Sequence, residues 1–490
     1  MLPEAFVTRL RALRGPAEAS ALCLALTEGD SPVSVRRNPA KCADEELRFF
    51  AAPASASPTS PTASTVSPEG VPPAAEAPAD PAPLVATPVP WCAYGRYLSA
   101  RPAFVLDPRW HAGAYYVQEA ASMFVAAAYA AAFPDEAPRR VLDLCAAPGG
   151  KSTLWRTLLP DEALLVANEP VKSRANILAE NLTKWGNPNT VVANAYPADF
   201  GRLVSAFDLV ATDVPCSGEG MFRKDLQARE EWSPEAVARC AERQREILRD
   251  VWPALREGGY LVYSTCTFNR EENEDVVQYA CDELGAELIP IPPASNWPIA
   301  GDTTGRGLAV YHFFPHRTQG EGLFLALLRK TASAPAVREK KCTRSKETPV
   351  PDAAKLLAWL KTPTDFRLFR PTPETIAAVR TSLLDDVQRV VACVRTLTAG
   401  VLMGETKGRK FVPAHALALS TVLADTAFPR AELDGDTALR YLRHEAVVLP
   451  PEQPRGHVLL CFEGLPLGWA NNLGTRANNL YPAEWRIRNV

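Results

Sequence analysis

The chain has only six histidines in 490 residues, and no Cys-x-x-Cys pair occurs in it. Without that spacing a structural zinc site has no ligand set to build on. The eleven cysteines are odd in number and scattered, which gives no disulfide framework and points to free thiols in a reducing cytoplasm. Long apolar runs are missing too. The longest, near Met123 to Phe133, is alanine-rich and falls short of the ~18 residues a membrane span needs. The first thirty residues interleave acids and arginines with apolar positions, unlike a secretory signal. Net charge is -3, so there is no overall basic excess, and a nucleic-acid partner must be held by a local surface.

What is present is ample core, with 47% hydrophobic residues, and 45 prolines. Residues 1–50 carry a helical pattern (Phe6, Leu10, Leu13, then Leu22, Leu24, Leu26) and a strand-like piece, Ser34 to Pro39, and form an N-terminal subdomain. Residues 51–88 are Ala, Pro, Ser and Thr with few large apolar side chains. Such a segment cannot offset its ordering entropy by burial, so it is expected to be a disordered insertion. From 89 to 330, and most clearly from Val141, short apolar runs alternate with helical stretches of about 12 to 20 residues. This pattern specifies an α/β fold with a doubly wound parallel sheet. Residues 331–350 read as a basic linker, and 351–490 as a second globular region.

The chain is organised around VLDLCAAPGGKS, Val141 to Ser152. A buried strand, a glycine turn and a helix N-terminus suit a nucleotide-like ligand. Gly150-Lys151-Ser152 mimics the end of a phosphate-binding loop, but the glycine that motif needs five positions earlier is Cys145. Ligands of such sheets sit at the carboxyl ends of the strands. Those ends here carry Cys145 to Lys151, then Glu169, placed to take a ribose diol, then Asn194, then Asp213 to Gly218, then Ser264 to Thr267. Cys216 and Cys266 both follow an apolar run rather than sit within it, so each is expected to face the crevice as a candidate nucleophile, with Lys151 and Arg223 as nearby cations.

VLDLCAAPGGKS, DVPCSGEGMFRKD and YSTCTFNREENE resemble the signature segments of the RNA cytosine-5 methyltransferases, the Sun/NSUN family. HAGAYYVQEAASM, the segment Lys407 to Ala418, and GLPLGWANNLGTRANNLYPAEWRIR are similar to its bacterial RsmF (YebU) branch, which acts on small-subunit ribosomal RNA. The resemblance implies a Rossmann-like methyltransferase domain, a C-terminal PUA-like RNA-binding region and S-adenosylmethionine as cofactor. It implies that Cys266 attacks cytosine carbon-6, that Cys216 assists proton loss and release, that Asp213 orients the base and that Lys151 lies between base and cofactor. It assigns cofactor contacts to Cys145, Ala146, Ala147, Pro148, Gly149, Gly150, Lys151, Glu169, Arg174, Asn194 and Asp213, and no metal. The family often has an acid after the adenine-reading position, whereas Asn194 is followed by Ala195.

RNA phosphates are expected at Arg223 and Lys224, with Arg36, Arg37 and the basic linker as further candidates, and Tyr115 or Tyr116 as a stacking platform. The chain is expected to be a cytoplasmic monomer whose partner is ribosomal RNA. The rival readings are the same chemistry on transfer RNA, a non-catalytic RNA-binding assembly factor, and a DNA cytosine methyltransferase. The last would use the Pro-Cys thiol as nucleophile and need no Thr-Cys partner.

Overall fold

Two helices, α1 (Glu4–Arg14) and α2 (Pro16–Glu28), turn on Gly15 at φ 78°. The computed structural model describes residues 1–44, 47–49, 83–294, 296–331, 349–408 and 410–488. Phe6, Leu10, Ala19, Leu22 and Leu26 form the apolar stripe of this hairpin, and they pack on Phe222, Trp232, Phe268 and Phe314. The hairpin therefore leans on the catalytic unit rather than forming a core of its own.

The next element, β1 (Val33–Arg37), lies between β3 (Cys92–Leu98) and β4 (Tyr115–Val117) in a four-stranded sheet, with β2 (Ala86–Val89) at its edge. This moves two expected boundaries. The insertion does not run to 88, because Ala86–Val89 is a strand whose backbone groups are paired by β3 and whose Val89 is buried. Nor does the N-terminal unit stop at 50, since β1 needs β3 and β4 to satisfy its ladder. Most of the expected insertion, and 332–348 of the expected linker, lie outside the described residues.

From residue 140 the alternating pattern becomes a parallel sheet, β5 (Arg140–Asp143), β6 (Leu164–Asn168), β7 (Thr190–Ala193), β8 (Phe207–Asp213) and β9 (Leu255–Thr265). The strand order is β9-β8-β5-β6-β7. β6 and β7 are buried at every position, as expected for strands covered by helices on both faces. The helices Gly150–Leu158 and Lys172–Trp185 follow β5 and β6, and Pro234–Val251 precedes β9. The order reverses between β5 and β8, which opens a crevice at their carboxyl ends.

Three antiparallel strands, β10 (Ala286–Leu288), β11 (Val310–Phe313) and β12 (Leu323–Lys330), extend the sheet beyond β9. Beyond the linker, β13 (Phe366–Phe369) and β14 (Thr375–Arg380) begin a small sheet. The next strand, β15 (Thr396–Ala399), leaves it to pair antiparallel with β7. Val379, Leu383, Val387, Val390, Val394 and Ala399 join the main core, so residues 379–399 of the expected second globular region belong to the parallel sheet's core, while the rest of that region builds two sheets with cores of their own. β16 (Val401–Lys407) and β17 (Lys410–Pro413) close the small sheet. A last sheet holds β18 (Arg430–Glu432), β19 (Gly456–Phe462), β20 (Leu465–Asn472) and β21 (Ala477–Asn479).

Candidate active site

At the carboxyl end of β5 the chain turns through Cys145 to Gly149 into the helix Gly150–Leu158. Gly149 has φ 117°, a conformation that L side chains rarely adopt. The turn's carbonyls are tied from the next helix. Arg174 Nη2 donates to Ala147 O at 3.1 Å, and Asn181 Nδ2 to Pro148 O at 2.7 Å. Arg36 reaches the same turn from β1, donating to Gly150 O at 3.2 Å and Thr153 Oγ1 at 2.5 Å.

Beneath the turn lies Asp143, fully buried and accepting from Ser152 Oγ at 2.6 Å. Burial pushes its carboxyl up to about 7, although the Ser152 hydroxyl pulls the other way. Burial likewise raises the Cys145 thiol, which makes it a neutral lining group.

Lys151 Nζ donates to Asp213 Oδ2 at 2.9 Å, and Ser264 Oγ donates to Asp213 Oδ1 at 2.9 Å. The Lys151 ammonium would be lowered by burial, but Asp213, Asp143 and Cys266 together hold it above its ordinary value. Cys216 Sγ and Cys266 Sγ stand 3.3 Å apart, so two loops that begin 50 residues apart deliver their thiols to one point. The hydrogen bond with Cys266, followed by burial, raises the Cys216 thiol well above the ordinary range.

On the other side of β5, Glu169 is buried at the end of β6. Its Oε1 accepts from Val171 N at 2.9 Å, and its Oε2 lies 3.3 Å from Arg174 Nη1. A fixed, acceptor-only carboxylate at a strand end beside a glycine turn fits the ribose of a nucleoside-bearing cofactor.

The other expected contacts divide. Asn194 spends its amide nitrogen on Glu169 O (2.8 Å) and Pro170 O (2.9 Å), so it fastens the loop and has only its oxygen left for a ligand. Arg223 is spent on protein partners instead of standing free for a phosphate: its side chain, 7% exposed, donates to Ala25 O (3.0 Å) and Asp30 O (3.1 Å) and lies near Glu321, which fixes α2 to the Cys216 loop. Arg36 is fully buried, and Arg37 is taken up by Cys42 O and Asp44. Tyr115 is core, donating to Asp107, and Tyr116 is half-buried beside Asn181. Among the described phosphate candidates Lys224 is the exposed one, at 44%, with one bond to Glu321. Asp143, Glu219, Asn269 and Glu272 also gather here, with no role for them read from the sequence. The acids in GEGMFRKD and NREENE were the available signal.

Comparison with known proteins shows the family. Profiles described as 16S rRNA methyltransferase RsmB/F, the RsmF PUA domain and the RsmF N-terminal domain match residues 131–329, 428–487 and 74–120. The ribosomal RNA small subunit methyltransferase F of Klebsiella pneumoniae is 33% identical over 413 residues, covering 81% of this chain and 84% of that protein. The chain belongs to this family of RNA methyltransferases. The namesake from Erwinia tasmaniensis is 31% identical over the same coverage. Two Pyrococcus horikoshii structures share the Rossmann-like methyltransferase fold. A methyltransferase homologue has TM-score 0.50 and 24% identity, over 67% of this chain and 95% of that one. NSun6 with SFG, an S-adenosylmethionine analogue, has TM-score 0.52 and 20% identity, over 67% and 98%. The RsmB/F family uses S-adenosylmethionine, and the glycine turn and Glu169 carboxylate fit it. The PUA-matched segment contains β18 to β21, the RNA-binding region expected at the C-terminus.

Proposed function

We propose that this enzyme methylates carbon-5 of cytosine in small-subunit ribosomal RNA through a covalent Cys266 adduct. The observation that carries the reading is the pair of thiols 3.3 Å apart beside the Lys151–Asp213 pair. Cytosine carbon-5 is a poor nucleophile. Addition of the Cys266 thiolate to carbon-6 moves the ring's π electrons onto carbon-5 and replaces one hard step with two easier ones.

Asp213 has both oxygens fixed by Ser264 and Lys151 while its side chain stays 36% exposed, so it can still accept from the cytosine amino group and set the ring's orientation. Lys151 stabilises negative charge at Cys266 before attack. Cys216 stays protonated while it bonds to Cys266. Once Cys266 is bonded to carbon, Cys216 loses the largest of the effects that raise it, burial remaining, and is the group placed to take the carbon-5 proton as the carbon-6–sulfur bond breaks, which frees Cys266. The Cys145–Lys151 turn, Glu169 and Arg174 would hold S-adenosylmethionine, which supplies an electrophilic methyl group when bound. The target base must leave its stack to reach the thiols. Lys224, at the rim, would meet a phosphate. We also take the enzyme to work as a cytoplasmic monomer. Among the described residues no helix is long and apolar enough to cross a membrane.

The test labels ribosomal and transfer RNA with methyl-tritiated S-adenosylmethionine. Wild type should label small-subunit RNA as 5-methylcytidine, Cys266→Ala should label nothing, and Cys216→Ala should accumulate a protein–RNA adduct on a denaturing gel. Label on transfer RNA alone, or full activity of Cys266→Ala, overturns the reading.

A further inference from the structure

Behind the thiols lie two buried carboxylates that the chemistry above does not use. Glu219 belongs to the Cys216 loop, and its Oε2 accepts from Phe268 N, on the Cys266 loop, at 2.7 Å. Glu272 follows Cys266, and its Oε2 accepts from Ser217 N, the residue after Cys216, at 2.9 Å. Each loop thus carries the acid that grips the other loop's backbone. Asn269 joins them, its Nδ2 lying 3.1 Å from Glu219 Oε1 and 2.8 Å from Glu272 Oε1. Trp232 Nε1 (3.1 Å) and Gln244 Nε2 (2.8 Å) donate to the same two carboxylates. Nearer the thiols, Gly220 N donates to Cys266 O at 2.8 Å. Ser217 Oγ and Thr267 Oγ1 meet at 3.0 Å.

Both acids are at most 1% exposed. Burial raises both carboxyls, and the Thr267 and Ser217 hydroxyls together with the surrounding N–H groups offset only part of that rise. Burying two carboxylates side by side is costly unless donors surround them. A fold that needed only to join these loops could use apolar side chains instead. The reciprocal pattern makes the carboxylates a device for fixing relative position.

We propose that Glu219 and Glu272 form a crossed clasp that sets the separation of Cys216 and Cys266, making both acids positioning residues for the two-thiol step. The inference rests on the two-thiol reading but can be tested without RNA. Phenylarsine oxide forms two As–S bonds with a pair of adjacent thiols and releases one water, so its binding reports thiol spacing directly.

Wild type should bind the arsenical at this pair, and Cys216→Ala, measured as background, should not. Glu272→Gln and Glu219→Gln each replace an acceptor with an amide that faces an N–H. Each should weaken pair-specific arsenical binding by about tenfold and lower kcat by about tenfold or more, with KM for S-adenosylmethionine within about twofold of wild type. The double variant should be little worse than either single one, because the two acids act as a unit. Glu272→Asp keeps the charge but draws it back by one methylene, so it should recover part of the arsenical binding. It is also the variant to use if the Gln forms do not fold. Folded Gln variants with wild-type arsenical binding and kcat overturn the clasp. A wild type that binds the arsenical but makes no 5-methylcytidine overturns the functional reading and leaves the clasp standing.

Discussion

Lys151 Nζ lies 2.9 Å from Asp213 Oδ2, joining the glycine turn after β5 to the end of β8 across the point where the strand order reverses. Lys151→Gln leaves a partly buried carboxylate without its cation, and Asp213→Asn does the converse. Each is expected to lower single-turnover methylation by about a hundredfold, with the double variant far from additive. Because the Lys151 ammonium is held above its usual 10.5, the pair's contribution to stability is complete below that pH and fades only above it. Rate losses measured at pH 7 to 9 therefore report position, not titration.

Asp143 gives a pH signature. Its folded value of about 7 stands above the ordinary 3.8, so the fold favours the protonated form. The stability this contributes is complete below pH 3.8 and is lost as pH rises through 7. Asp143→Asn removes that loss. Melting temperatures at pH 5 and pH 8 should show the difference between variant and wild type moving in the variant's favour by a few degrees at the higher pH. An unchanged difference would contradict the assignment.

Arg36, Arg223 and Lys224 should separate by assay. Arg36→Ala takes a fully buried guanidinium away from Gly150 O and Thr153 Oγ1 and should cost about 2–5 kcal/mol in denaturant melts, whereas Arg223→Ala frees the partly buried Ala25 O and the exposed Asp30 O and should cost about 1–2 kcal/mol. Lys224→Ala should leave stability within about 0.5 kcal/mol and reduce the salt dependence of RNA binding by about one counterion. A stability loss at Lys224 with no change in salt slope would reverse the assignment.

A chain ended at residue 350 lacks β15 and exposes the edge of β7, Val191 to Ala193, together with the patch that Val387, Val390 and Val394 cover. An open apolar edge strand pairs with other chains. The shortened protein should elute as aggregate from a sizing column, whereas full-length protein should not.

The repeating unit from Val141 to Leu284 was readable from the sequence because each buried strand is short and each helix begins or ends at a clear signal, such as Ser233 before Pro234 or Gly186 after Trp185. The cysteines and the turn were readable because their spacing is fixed by the chemistry of strand ends. Sequence misled where a residue's worth depends on distant partners. Arg36 and Arg223 look like any surface cation until the carbonyls of Gly150 and Ala25 surround them. Thr396 to Ala399 is too short and too polar to signal that it pairs with a strand some 200 residues earlier.

That pairing has a mechanical result. Val379 to Ala399 pack into the core of the parallel sheet, while Ile376 and Met403, on the neighbouring strands β14 and β16, pack with Leu459 and Trp469 of the last sheet. The last sheet is thus fastened to the parallel sheet as a beam is by a joint along its length, through the β7–β15 ladder and two apolar cores, and not by a single pin of connecting chain.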